Sequence, residues 1–226
     1  MRLAIIIPTL NEEQALRSNL PAAARQADLL VVADGGSTDD SVQVARRQGA
    51  EVVEAGRGRG CQLDAGARAA IAGGAEWLVF LHADTILPRD AKALVLGVQA
   101  QEAVGGGFAV RFDDPRALFR LGAACVNLRT RLCRIPLGDQ AQFVRADVFK
   151  RLGGFKDWPI LEDLDLGLRL RRQGRVAILR QPVTTAARRF TERGIARTIA
   201  TNWLIWLLFL AGVCPQRLAK LYPHIR

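Results

Sequence analysis

The sequence predicts an α/β fold: a mainly parallel sheet with helices on both faces, then a mixed second half and a short helical tail. Three observations predict it. Apolar runs of strand length alternate with longer stretches of helical period through the first hundred residues, polar turn-forming residues follow most of those runs, and the alternation becomes irregular beyond residue 101. The chain has 226 residues, 50% hydrophobic and 24% charged, enough to build one sizeable core. The 21 Gly and 9 Pro sit singly or in short clusters, which excludes collagen-like, low-complexity and disordered classes.

Strands are expected at 3–7, 29–33, 51–54 and 76–81, with helices at 12–24, 38–48, 60–73 and 88–100. Short apolar strands joined by helices imply parallel pairing and right-handed crossovers. Beyond 101, Gly105-Gly106-Gly107 leads into a strand at 108–112, followed by helix 115–133, strand 141–145, helices 146–152 and 162–173, and strand 176–179. The tail reads as helices at 190–213 and 215–221, separated at Cys214-Pro215, because proline ends one helix and can start the next. Its run of 11 apolar residues, 203–213, falls short of the ~20 that span a bilayer. Two placements stay open for it: docked on the core, or in a membrane interface, where Trp203 and Trp206 beside Arg193, Arg197, Arg217 and Lys220 would suit.

The net charge of +10 is unevenly spread. Residues 1–166 are nearly neutral, whereas 167–226 hold 12 basic side chains and one acid, Glu192. A nucleic-acid groove would spread its charge and interleave aromatics, so nucleic acid is not an expected partner. The four cysteines (Cys61, Cys125, Cys133, Cys214) form no C-x-x-C pair and there are two histidines, His82 and His224, which argues against a Cys/His zinc site. With the strand-like LAIIIP at 3–8 in place of a signal h-region, a reducing cytoplasm is expected, with the cysteines as small core residues.

Parallel sheets bind ligands outside the carboxyl ends of their strands, so the residues after each apolar run are the candidates. After the first come Pro8, Thr9, Asn11 and Glu12; after the second, Asp34-Gly35-Gly36-Ser37; after the fourth, His82-Ala83-Asp84. A carboxylate at Asp34 can accept from an imide N–H such as uracil presents, or simply cap its own turn. Asp84 suits a divalent cation on a diphosphate, with His82 as a second ligand or a ribose contact, though an Asp after a strand is also an ordinary turn residue. Gly56-Arg57-Gly58-Arg59-Gly60 fits neither dinucleotide nor P-loop fingerprint but offers two guanidiniums before a helix start. Glu162-Asp163-Leu164-Asp165 opens a helix, where acids favour the dipole and where one carboxylate can serve as a general base. Arg188-Arg189-Phe190 is either a solvated basic face or a bidentate phosphate clamp.

In this order, PTLNE at 8–12, DGGSTDDS at 34–41, GRGRGCQLDAGA at 56–67, FLHADT at 80–85, GDQAQFVR at 138–145, GGF at 153–155 and LEDLDLGLRLRRQG at 161–174 resemble family-2 glycosyltransferases of the GT-A fold, a Rossmann-like architecture. HAD, GDQ and the short tail are similar, more narrowly, to the small bacterial radical-SAM/selenodomain-associated transferase 2 group. The resemblance runs through roughly 8–190. It implies a GT-A domain at 1–190, with a nucleotide-sugar half at 1–100 and an acceptor half at 101–190, and a basic-apolar tail at 191–226. It further implies a UDP-sugar donor held by Pro8, Thr9, Asn11, Glu12, Asp34, Gly35, Arg59, His82, Ala83 and Asp84, and Mg²⁺ or Mn²⁺ on Asp84 with His82. Asp163, beside Glu162, would be the base of an inverting transfer, and Gly138, Asp139, Gln140, Arg188 and Arg189 would meet the acceptor or diphosphate.

Two positions depart from the family's pattern. Gly35 stands where a second Asp is usual, and His82 where the first Asp of D-x-D is usual, so the metal loses negative charge around it. The Q-x-x-R-W element of processive synthases has no full match, which implies transfer of a single sugar. The tail and its arginines imply a lipid-linked or membrane-presented acceptor and a peripheral place on the cytoplasmic membrane face, through 199–226. A nucleotidyltransferase and a non-catalytic membrane-surface module are the competing classes.

Overall fold

The computed structural model describes residues 1–187 and 195–221, with the backbone alone for 195–200. Its first half alternates strand and helix: β1 (Leu3–Thr9), α1 (Glu13–Ala24), β2 (Leu29–Asp34), α2 (Ser41–Arg47), β3 (Glu51–Glu54), α3 (Arg59–Ala72) and β4 (Trp77–Phe80). A two-residue strand β5 (Thr85–Ile86), α4 (Ala91–Gly97) and a 3-10 turn follow. The second half comprises β6 (Ala103–Phe112), α5 (Ala117–Cys133), a 3-10 turn over Gly138–Gln140, β7 (Phe143–Arg145), α6 (Ala146–Arg151), α7 (Glu162–Arg171) and β8 (Arg175–Thr185). Helices α8 (Ile195–Leu210) and α9 (Pro215–Ala219) close the described chain.

One eight-stranded sheet runs in the order β3-β2-β1-β4-β7-β6-β8-β5. Strands β1 to β4 pair in parallel, β7 enters antiparallel between β4 and β6, and β8 is parallel to β6. The mixed character expected beyond residue 101 thus comes from β7, and β5, which precedes residue 101, also pairs antiparallel with β8.

The period-2 alternation of β1 explains why both its faces are apolar. Leu3, Ile5 and Ile7 join one core with Leu16 and Leu20 of α1 and Val95 of α4. Ala4 and Ile6 point the other way, into a core with Leu63 and Ala67 of α3, Phe149 of α6 and Leu166 and Leu170 of α7. A strand covered on both faces has no position for a polar side chain until its end, and the first in β1 is its last residue, Thr9.

Three expectations are corrected. Gly105, Gly106 and Gly107 lie inside β6 and do not merely lead into it, because the neighbours approach too closely for side chains: a Cβ on Gly106 would stand 2.0 Å from the Ala177 carbonyl oxygen, and one on Gly107 2.4 Å from Pro136. Strand 176–179 extends to Thr185, since β6 continues as its partner to Phe112. The cysteines are not core residues: Cys125 and Cys214 are exposed, Cys61 and Cys133 partly so, and all four are free.

The tail is docked through one face. Ile205 of α8 and Leu218 of α9 pack on Ile160, with Leu161, Leu208 and Phe209 around them, and the ring of Phe209 meets Trp158 edge-on at 5.8 Å. No helix among the described residues is long and apolar enough to cross a membrane.

Candidate active site

Helix α7 starts after Leu161, which takes a left-handed backbone conformation (φ 66°) while its side chain packs with the tail cluster. This turn aims the first helical residues, Glu162 and Asp163, at the carboxyl ends of β1 and β4. The crevice between them is lined by Pro8, Arg59, Phe80, His82, Gly138, Gln142, Glu162 and Asp163. Elements from the first strand to α7, spread between Pro8 and Asp163 in sequence, therefore converge on the edge of the parallel sheet where ligands bind.

The acidic cluster separates into three environments. Asp165 is buried and neutralised by Lys156 at 2.8 Å and Arg169 at 2.6 Å, so it holds the helix in place. Glu162 is fully buried and accepts from the Arg59 guanidinium, while its second oxygen, Oε2, is buried with no hydrogen-bond partner. Burial pushes its carboxyl above the usual range, against the pull of Arg59. Asp163 is partly exposed; its Oδ2 accepts from the Gly138 amide at 2.7 Å and its Oδ1 from the Leu164 amide at 2.8 Å.

The 138–142 segment forms the opposite wall. Gln140 is wholly buried and taken up inside the protein: its Oε1 accepts from the Thr130 hydroxyl at 2.8 Å and its Nε2 donates to the Phe108 carbonyl at 3.1 Å. It fixes the turn and does not reach toward a ligand. Asp139 is different, since its Oδ1 is buried without a partner. Burial raises its pKa, opposed by Arg129. Gly138 has no room for a side chain: a Cβ there would meet His82 Nε2 at 2.8 Å and Asp163 Oδ2 at 3.1 Å. The imidazole and the carboxylate thus face one another across the glycine.

The first-half candidates divide likewise. Asp34 is buried, and its carboxylate is engaged by the Gly36 and Ser37 amides, both at 3.0 Å, and by the Ser37 hydroxyl at 2.5 Å. Asn11, at φ 55°, ties this turn to the first by donating to Ser37 and accepting from Thr38. The Glu12 amide donates to Ser41, and Thr9 is buried with its carbonyl accepting from Gln62 at 2.7 Å. Gly35 is required because Gln62 crosses beside it, 2.9 Å from where a Cβ would sit. Ala83 is buried and its carbonyl accepts from Asn19. Arg188 and Arg189 lie outside the described residues.

Asp84 is exposed beyond the strand end, with the Thr85 hydroxyl 3.5 Å from its carboxylate. Among the described residues no three His, Cys, Asp or Glu side chains group as a metal site, and His82 turns toward Gly138 and Asp163. Such a donor set fits Mg²⁺ or Mn²⁺ only in the form used with nucleotides, where one or two carboxylates act with substrate phosphate oxygens and water.

Two buried glutamines escaped the sequence reading. Gln62 bridges the Thr9 and Ala33 carbonyls, joining the ends of β1 and β2. Gln142 donates to the Pro136 and Asp163 carbonyls, and its Oε1 is buried without a partner beside the crevice. Their only signal was two glutamines inside otherwise apolar or small-residue stretches.

Comparison with known proteins agrees with this geometry. The family model for glycosyl transferase family 2 matches residues 4–152. Among solved structures, Staphylococcus aureus TarS (residues 1–349) in complex with UDP-GlcNAc superposes with a TM-score of 0.63 at 17% identity, over 82% of this chain and 58% of that one. The same TarS fragment without ligand gives 0.64 at 16% identity, over 98% and 69%. The mannosyltransferase PcManGT from Pyrobaculum calidifontis, in complex with GDP-Man and Mn²⁺, gives 0.58 at 21% identity, over 82% and 56%. The chain therefore spans somewhat over half the length of the ligand-bound TarS and PcManGT chains. A sequence comparison with curated proteins finds no match. The strand order, the helices on both faces and the crevice at the carboxyl ends of β1 and β4 are those of a GT-A fold, and the chain belongs to glycosyltransferase family 2.

Proposed function

We propose that the chain moves a single sugar from a nucleotide-sugar donor, with UDP-sugars as the first candidates, to a hydroxyl acceptor, with inversion at the anomeric carbon. The observation that carries this reading is the Glu162-Asp163 pair at the start of α7, facing the ends of β1 and β4 across one crevice. The donor complexes of TarS and PcManGT support a nucleotide sugar as the donor class.

Asp163 is the proposed general base. Two main-chain amides hold its carboxylate, and its partial exposure leaves it accessible to an acceptor. It takes the proton as the acceptor oxygen bonds to the anomeric carbon and the bond to the nucleoside diphosphate breaks. Glu162 is a positioning residue: its ion pair ties the start of α7 to the start of α3. Asp34, Asn11 and Glu12 shape the nucleoside end, where the 34–38 turn presents its outer edge. His82 and Asp139 flank the sugar and acceptor region.

Asp84 would hold Mg²⁺ or Mn²⁺, which when bound offsets the negative charge developing on the leaving diphosphate. The basic-apolar tail, 199–226, supports a lipid-linked or membrane-presented acceptor and a peripheral cytoplasmic location. The test is Asp163→Asn: sugar transfer falls at least about 1,000-fold while donor binding stays within a few-fold. Equal loss of both would assign Asp163 to binding and overturn its role as base.

A further inference from the structure

Helix α5 carries an apolar stripe whose side chains are left exposed among the described residues. Leu118, Leu121, Leu128 and Leu132 are 50, 62, 60 and 75% exposed, and Cys125 between them is exposed too. Their spacing of three and four residues puts all five on one face. The opposite face, with Phe119, Ala123 and Thr130, is buried, and Thr130 and Arg129 bond Gln140 of the turn that holds Asp139. Helix α8 repeats the pattern: Ile205 is buried, while Trp203, Leu204, Leu207 and Leu210 are about half exposed. The two helices are neighbours, because the Arg129 guanidinium lies over the Trp206 ring at 5.9 Å. Of the eleven large exposed apolar side chains among the described residues, eight are on these two helices.

We propose that the outer faces of α5 and α8 form one surface that docks on an anionic lipid bilayer. Charge selects this occupant. From 116 to 134 the chain has five arginines and no acid; Arg116 is paired with Asp114 at 2.7 Å, and the other four have no carboxylate on the helix, while the described part of the tail, 195–221, likewise has Arg197, Arg217 and Lys220 and no acid. A second copy packed along the α5 stripe would set this basic helix against its equal, with no carboxylate on either helix to pair Arg131 and Arg120. Anionic headgroups neutralise those charges while the leucines and Trp203 enter the interface. The surface adjoins the Gly138–Gln140 turn, so docking brings the acceptor side of the crevice to the membrane. This last consequence rests on the transferase reading; the docking itself does not.

The test uses the full chain and vesicles of phosphatidylcholine, with or without phosphatidylglycerol. Wild type should co-sediment with the anionic vesicles and about tenfold less with the neutral ones. Leu121→Glu/Leu128→Glu and Leu204→Glu/Leu207→Glu should each lose about tenfold or more in vesicle affinity, with UDP binding unchanged as the check on folding. Should either double variant fail to fold, a polarity-sensitive dye on Cys125, in a Cys61→Ser/Cys133→Ser/Cys214→Ser background, reads the α5 face directly: its emission should shift to the blue on anionic vesicles alone. No shift, equal binding to both vesicle types, or a dimer without lipid that Leu121→Glu/Leu128→Glu dissolves would each overturn the proposal. Vesicle docking without binding of UDP, GDP or UDP-glucose would instead overturn the transferase reading and leave the surface standing.

Discussion

The Arg59–Glu162 pair makes a quantitative prediction. Glu162 is 0% exposed and Arg59 30%, and the second Glu162 oxygen is buried with no partner. In Arg59→Met the carboxyl loses the one cation paired with it among the described residues and stays enclosed. Removing one member of a buried pair costs about 3–5 kcal/mol; the partial exposure of Arg59 puts this case near the lower end, about 3 kcal/mol. For a chain of this size that lowers the melting midpoint by about 6–12 °C. The sign with pH follows from the raised carboxyl. A Glu whose native pKa lies above its unfolded value of 4.5 contributes fully at acid pH, and its contribution falls as pH rises through the native pKa. Without Arg59 that pKa rises further, so the deficit is largest at and above neutral pH and shrinks toward pH 4.5. Urea denaturation followed by tryptophan fluorescence at several pH values measures it, and Glu162→Gln in the same background should recover at least half of the loss at neutral pH. A loss below about 1 kcal/mol, the range of an exposed pair, or a pH-independent loss would refute the reasoning.

Other perturbations have equally definite outcomes. Gly106→Ala drives a methyl of β6 to 2.0 Å from the Ala177 carbonyl of β8 and should cost about 3 kcal/mol or more, whereas Gly122→Ala, in open space on helical backbone, should stabilise by up to about 1 kcal/mol; paired denaturation curves check both. Asp139→Asn removes a carboxyl whose pKa burial raises, so its stability relative to wild type should increase from acid to neutral pH, as measured by unfolding free energy against pH. Gln142→Leu strips the Pro136 and Asp163 carbonyls of their donor, and should destabilise the chain by about 1–3 kcal/mol while lowering transfer more than donor binding.

The parallel half was legible because each strand there is short, apolar on both faces and bounded by turn residues, as in LAIII at 3–7 and LLVVAD at 29–34. Helix α7 was legible from its acids and its period. What the sequence hid were effects of tertiary approach. Glycines at 105–107 read as a lead into the strand and not as part of it, because only the neighbouring backbone at Phe143 and Ala177 shows why no side chain fits. Strand β5 is two residues long and exists only through its pairing with β8. The cysteines read as core because a free thiol usually is, yet Cys125 falls on the unpartnered face of α5.

The site candidates were legible by position along the chain, and their division of labour was not. Glu162, Asp163 and Asp165 are alike in sequence; they differ because Arg59, the Gly138 amide and the Lys156–Arg169 pair reach one each. Gln62 and Gln142 act through carbonyls of distant segments, which no local pattern announces.

The most direct test of the central claim is calorimetric titration of UDP, GDP and UDP-glucose into the full chain, with and without Mn²⁺. The account predicts that a uridine nucleotide binds, that Mn²⁺ tightens it, and that Asp84→Ala removes the Mn²⁺ effect while Asp163→Asn leaves binding intact. Absence of binding by every nucleotide, with or without the ion, would contradict it.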